Sequence, residues 1–212
     1  MSSCSRAGPC QEMFGAADAR RDMDAYLGHG LGKMERQMLE ALSLPLGGAR
    51  VLEIGGGVGA IQTELLLRGA ASGEVVELVE AYAPFAARLA QETGLVDRTR
   101  FRVHDLLSDP DAVEPADIVV LNRVVCCSAD GLLLAAAAAG LTRRALLLSF
   151  PRSNAFTRSL AWAQRALWRL FGRRYRAFAW PQEAIAAAAR SGGLEVRTGG
   201  GGLVWRYLLL TR

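Results

Sequence analysis

At 212 residues the chain has the length of one ordinary domain, enough to bury a continuous core under a central sheet and too short for a second full domain. Hydrophobic residues make up 51%, yet apolar runs such as 132–141 fall short of the ~20 residues that cross a bilayer, and the start shows no secretion signal, so a cytoplasmic location is expected. The net charge of +4 rests on arginine, with Lys33 the only lysine, a compositional bias that gives no footing to a nucleic-acid partner.

Residues 1–12 read as loosely held. Between 18 and 44, Met23, Leu27, Met34, Met38 and Leu42 recur at helical spacing, broken by Gly28, Gly30 and Gly32, which predicts a helical lid with a hinge. From Arg50 the pattern turns into short apolar strands at 51–54, 75–79, 100–103, 118–121 and 145–150, with helices between them at 60–68, 84–93 and 130–139. Strands alternating with helices imply a mostly parallel sheet with helices on both faces.

An insertion at 152–178 follows the fifth strand. It carries Arg152, Arg158, Arg165, Arg169, Arg173, Arg174 and Arg176, with Leu160, Ala163, Leu167 and Phe171 at helical spacing and Trp162 and Trp168 beside them. Such a helix packs its apolar face on the core; its basic face suits an anionic or aromatic acceptor, or peripheral contact with acidic lipid. Residues 194–211, with glycines at 199–202, read as an antiparallel hairpin. The expected layout is a single domain over 1–212: a lid over 1–45, a nucleotide-binding core over 50–150, the insertion over 151–180, and a closing helix and hairpin over 181–212.

The strongest signal is Val51-Leu52-Glu53-Ile54-Gly55-Gly56-Gly57-Val58-Gly59, a buried strand that runs through a glycine loop into a helix. Glycines there let backbone amides and the helix N-terminus approach a ligand closely. The spacing Glu-x-Gly-x-Gly-x-Gly differs from the Gly-x-Gly-x-x-Gly of dinucleotide enzymes, which disfavours an NAD-dependent oxidoreductase. Glu53 before the first glycine would repel a pyrophosphate and suits a ligand with an ammonium group, such as S-adenosylmethionine (SAM).

A ribose needs a second acceptor, supplied in nucleotide-binding sheets by an acid at the end of the second strand, roughly 20 residues past the loop. Glu80 is preferred, with Ala81 beginning a short turn before a helix that has Pro84 in its first turn; Glu77 is the alternative if the strand ends earlier.

On these motifs the stretch 50–150 resembles the class I SAM-dependent methyltransferases, which implies a Rossmann-like α/β fold and SAM as cofactor. The resemblance assigns Glu53, Gly55 and Gly57 to the methionine part and Glu80 to the ribose. It places Asp105, with Leu106 beside it, at the adenine, and Asn122 at the end of the fourth strand beside the transferred methyl. A narrower resemblance is to the Mg-protoporphyrin O-methyltransferases, in Tyr26-Leu27-Gly28-His29-Gly30, in the fourth strand and in Phe150-Pro151-Arg152-Ser153. The chain departs from that group at Cys126-Cys127, where the group has a His-Tyr pair. A thiol does not replace an imidazole as proton acceptor near neutral pH, which argues against porphyrin chemistry.

Methyl transfer from a sulfonium needs alignment, and a base only where the acceptor must lose a proton. His29 is the candidate base, Tyr26 the candidate to close over the methionine carboxylate, and Cys126 a pocket-lining thiol. No resident metal is expected from the cysteine spacing, although Cys126 and Cys127, with Cys4 and Cys10, leave room for a thiol-held metalloid acceptor. The expected function is SAM-dependent methylation of a small apolar or aromatic molecule. A SAM-binding protein without catalysis is the non-enzymatic alternative, and the oligomeric state is left open.

Overall fold

The structure, a computed structural model, describes residues 13–154, 159 and 177–212. Its elements follow in chain order: α1 (Ala16–His29), α2 (Lys33–Glu40), β1 (Arg50–Ile54), α3 (Ala60–Leu67), β2 (Ser72–Glu77), α4 (Ala83–Glu92), β3 (Thr99–Val103), β4 (Ala116–Asn122), α5 (Gly131–Gly140), β5 (Thr142–Pro151), α6 (Gln182–Arg190), β6 (Glu195–Gly201) and β7 (Trp205–Thr211). The strands form one sheet in the order β3-β2-β1-β4-β5-β7-β6. β1 to β5 pair in parallel, and β7 runs antiparallel between β5 and β6, as the expected α/β fold with a C-terminal hairpin requires.

The near-continuous apolar runs follow from burial of both faces of a parallel sheet. Val51, Ile118, Val120 and Leu147 face a core shared with Met23, Met38, Ile61, Leu65 and Leu89. Their neighbours Leu52, Val119, Leu121 and Leu148 face the opposite core, under Leu134, Ala138, Ile185 and Ala189 of α5 and α6. Glu74 of β2 is buried within the sheet, with Arg50 Nη2 at 2.6 Å and Arg102 Nε at 2.8 Å from the flanking strands.

The lid is two helices, split where Gly30, one of the glycines that break the helical spacing in the sequence, takes φ +67. One boundary departs from the sequence expectation. The second strand ends at Glu77, not at Val79. Glu77 pairs with Val103 at the last rung with β3, and the N–H groups of Leu78 and Val79 turn to the Glu77 carboxylate, at 2.8 and 3.1 Å.

No helix among the described residues is long and apolar enough to cross a membrane. The arginines from Arg158 to Arg176, the apolar stripe from Leu160 to Phe171, Trp162, Trp168, Cys4 and Cys10 lie outside the described residues.

Candidate functional site

Strand order reverses between β1, which leads outward to β2 and β3, and β4, which leads to β5. A crevice at the carboxyl ends of parallel strands is expected at such a point. A cleft of about 870 Å³ lies there, towards the upper end of the ~300–1,000 Å³ usual for ligand cavities. Its described walls come from the glycine turn, the ends of β2 and β4, the segment after β3, the lid helices and Trp205 of β7.

The glycine turn is shaped by what packs against it. Gly55 takes φ +63, and a Cβ there would lie 2.7 Å from Val124 Cγ2; Gly57 takes φ +56, and its Cβ would lie 3.0 Å from the Tyr82 ring. Both positions favour glycine through backbone conformation and close packing, in addition to the clearance for a ligand that the sequence suggested.

Two carboxylates line the cleft beside this turn. Glu53 is buried and accepts from the N–H of Gln62, in the first turn of α3, at 2.8 Å. Burial pushes its carboxyl up to about 8, only partly opposed by that hydrogen bond. Glu77 is also buried and accepts from the N–H of Gly57 at 3.0 Å. Burial raises its carboxyl too, against three backbone N–H groups that favour the charge.

Glu80 is exposed in the turn Glu80–Tyr82 and does not line the cleft, and Ala81 beside it does not either. The physical reason is the early end of β2, which leaves Glu77 at the strand terminus. Asp105 and Leu106 do line the cleft, with Asp105 Oδ1 accepting from the N–H of Leu107 at 3.1 Å.

Two phenol–carboxylate hydrogen bonds hold α1 across the cleft wall. Tyr26 donates to Glu64 of α3 at 3.3 Å, and Tyr82 donates to Asp22 of α1 at 3.3 Å. Burial, followed by the neighbouring carboxylate, raises both phenols well above their ordinary range. His29, the predicted base, is the exposed last residue of α1 and lines a separate shallow depression with Arg20, Asp24 and Phe85. The structure does not bring it to Tyr26 and Cys126 in the cleft.

At the end of β4, Asn122 Oδ1 accepts from Ser149 Oγ at 2.6 Å, and its amide reaches Glu35 Oε1 at 3.5 Å. Cys126 is buried and donates to the carbonyl of Arg123 at 3.2 Å, with its sulfur 3.9 Å from that of Cys127. The hydrogen bond with Cys127 and burial together push the Cys126 thiol up, so it stays protonated. Among the described residues no group of three or more metal-ligating side chains gathers.

Asp22, Glu35, Tyr82, Arg123 and Trp205 also line the cleft and were not among the predicted site residues. Glu35 carries the plainest missed signal, an acid inside the apolar pattern of Met34 and Met38.

A solved magnesium protoporphyrin IX methyltransferase from Synechocystis PCC 6803, with bound SAH, superposes at a TM-score of 0.74 and 19% identity, over 97% of this chain and 99% of that one. A geranyl diphosphate C-methyltransferase from Streptomyces coelicolor A3(2) does so at a TM-score of 0.67 and 14% identity, over 91% and 83%. The chain has the class I SAM-dependent methyltransferase fold. This methyltransferase fold is not confined to methyl transfer, since the [4+2]-cyclase SpnF matches at a TM-score of 0.65 and 13% identity, over 85% and 80%. No family model matches the chain, and no curated protein sequence matches it.

Proposed function

We propose that the chain binds SAM in this cleft and transfers its methyl group directly to a small, apolar or aromatic acceptor. The observation that carries the reading is that Glu53 and Glu77 line one cleft, one tied to the start of α3 and the other to Gly57 in the glycine turn. The donor set fits the cofactor: one carboxylate for its ammonium, one for its ribose hydroxyls, and a glycine turn that excludes side chains between them. SAM supplies, when bound, a methyl carbon on a sulfonium; the acceptor's lone pair takes that carbon and the C–S electron pair stays on sulfur as S-adenosylhomocysteine.

Within this reading Glu77 accepts from the ribose, Glu53 accepts from the ammonium, and Asp105 with Leu106 borders the adenine. Asn122, fixed by Ser149, borders the methionine end. Tyr26 stays a phenol and acts as a hydrogen-bond donor, and Cys126 shapes the acceptor end as a protonated thiol. With His29 outside the cleft, the rate rests on alignment more than on proton transfer. The 3.9 Å approach of the Cys126 and Cys127 sulfurs favours, as a second reading, a thiophilic metalloid as acceptor.

Release of S-adenosylhomocysteine from SAM, followed over a panel of aromatic acids, phenols, terpenoids and trivalent arsenicals, tests the proposal. Turnover on one class is expected. SAM binding with no turnover on any of them would replace the enzyme with a binding protein.

A further inference from the structure

Arg123 follows β4 directly and lines the cleft together with Glu35 and Trp205. It takes φ +61, a left-handed conformation that no other non-glycine among the described residues adopts. The N–H of Arg123 is held by Ser149 Oγ at 2.9 Å. The guanidinium lies 5.0 Å from the Trp205 ring centroid, and Nη2 lies 2.7 Å from Glu35 Oε1.

Glu35 is buried at the start of α2, where Gly32 makes room for it: a Cβ at Gly32 would sit 2.5 Å from Glu35 Oε2. Arg123, by contrast, keeps 47% of its side chain exposed. A guanidinium carries five N–H donors in a planar fork, and a single carboxylate edge with one aromatic face leaves donors over. Pro151, Phe178 and Val204 supply apolar wall to the same cleft.

We infer that Arg123 is a specificity-determining residue, which selects acceptors carrying an oxyanion on an apolar, flat body. Glu35 holds the guanidinium in position and competes with the incoming anion. The inference rests on reading this part of the cleft as the acceptor's. A cation beside apolar surface recognises an aromatic carboxylate over its neutral amide, because the carboxylate adds charge-assisted hydrogen bonds to the guanidinium's remaining donors and the amide does not. The methionine carboxylate of the cofactor is a second oxyanion that Arg123 could serve, and the test separates the two.

The probe pair is 2-naphthoate and 2-naphthamide, titrated into the purified chain with and without saturating S-adenosylhomocysteine. The wild type should bind naphthoate on the order of tenfold more tightly than the amide. Arg123→Gln should abolish that preference and Arg123→Lys should keep part of it, with S-adenosylhomocysteine affinity unchanged in both. Glu35→Gln should strengthen naphthoate binding several-fold, because the competing carboxylate is gone. A purely structural Glu35–Arg123 tie would make both neutralising variants weaken binding together, so parallel losses overturn the inference. Equal affinity for the two probes, no binding of either, or a preference that survives Arg123→Gln also overturns it. Loss of S-adenosylhomocysteine affinity in Arg123→Gln would assign the residue to the cofactor and overturn it likewise. Failure of the wild type to bind S-adenosylhomocysteine would sink the SAM reading alone, since the probe comparison without it still reads Arg123.

Discussion

The N–H of Gly57 donates to Glu77 Oε2 at 3.0 Å, so the acid that ends β2 is fastened to the glycine turn after β1. With SAM bound as proposed, that carboxylate also takes the ribose hydroxyls. Glu77→Ala should therefore weaken SAM binding by about 1–3 kcal/mol, the usual loss for a charge-assisted hydrogen-bond partner. Glu80→Ala, on an exposed residue outside the cleft, should leave the affinity unchanged. Isothermal titration of both variants checks the assignment, and the reverse ranking would restore Glu80 as the ribose acid.

If Glu53 takes the ammonium as proposed, SAM binding should depend on pH. With its carboxyl raised to about 8, the residue is mostly protonated at pH 7 and must lose that proton to face an ammonium as a carboxylate. Binding should release close to one proton at pH 7 and almost none at pH 9. Heats measured in phosphate and in Tris, whose ionisation enthalpies differ, count that proton, and Glu53→Gln should remove it. Equal heats in the two buffers at pH 7 would show that Glu53 does not ionise on binding.

The same raised value has a consequence for folding. Above the ordinary carboxyl range the unfolded chain gives up the Glu53 proton while the folded chain keeps it, so the stability this residue contributes at low pH is lost progressively up to about pH 8. Melting of the wild type relative to Glu53→Gln should fall between pH 5 and 8 and level off above. A difference that does not change with pH would contradict the burial argument.

Glu74 lies inside the sheet with Arg50 and Arg102 on either side. Glu74→Ala removes the shared partner of two arginines and should cost about 2–4 kcal/mol, less than a fully buried pair would because both arginines keep partial solvent access. Urea unfolding measures it. A loss below about 0.5 kcal/mol, the range of ordinary surface changes, would show the network to be incidental.

Cys126→Ser keeps a small donor facing the Arg123 carbonyl and should retain SAM affinity with a modest drop in turnover. A protonated, buried thiol is a poor nucleophile, so mass spectrometry after incubation with SAM should find no methyl group on Cys126. A methylated Cys126 formed during turnover would overturn the direct-transfer mechanism.

The sheet was legible because its central strands are buried on both faces and read as apolar runs between glycine and proline punctuation. The end of β2 was not, because Leu78 and Val79 prolong the apolar run past the last rung and only the Glu77 carboxylate, capturing their N–H groups, stops the ladder. The glycine turn and Glu53 showed in their spacing. Glu35 and Arg123 did not, since their ion pair joins α2 to the end of β4 and nothing local in either segment calls for the other. His29 reads as a lid residue and candidate base, but which way the end of α1 faces is decided by how that helix packs.

The most direct test of the central claim, that the glycine turn with Glu53 and Glu77 holds SAM, is isothermal titration of the purified chain with SAM, S-adenosylhomocysteine and NAD. Saturable binding of the first two and none of NAD is the predicted result. Binding of NAD with no heat from either adenosyl ligand would contradict it.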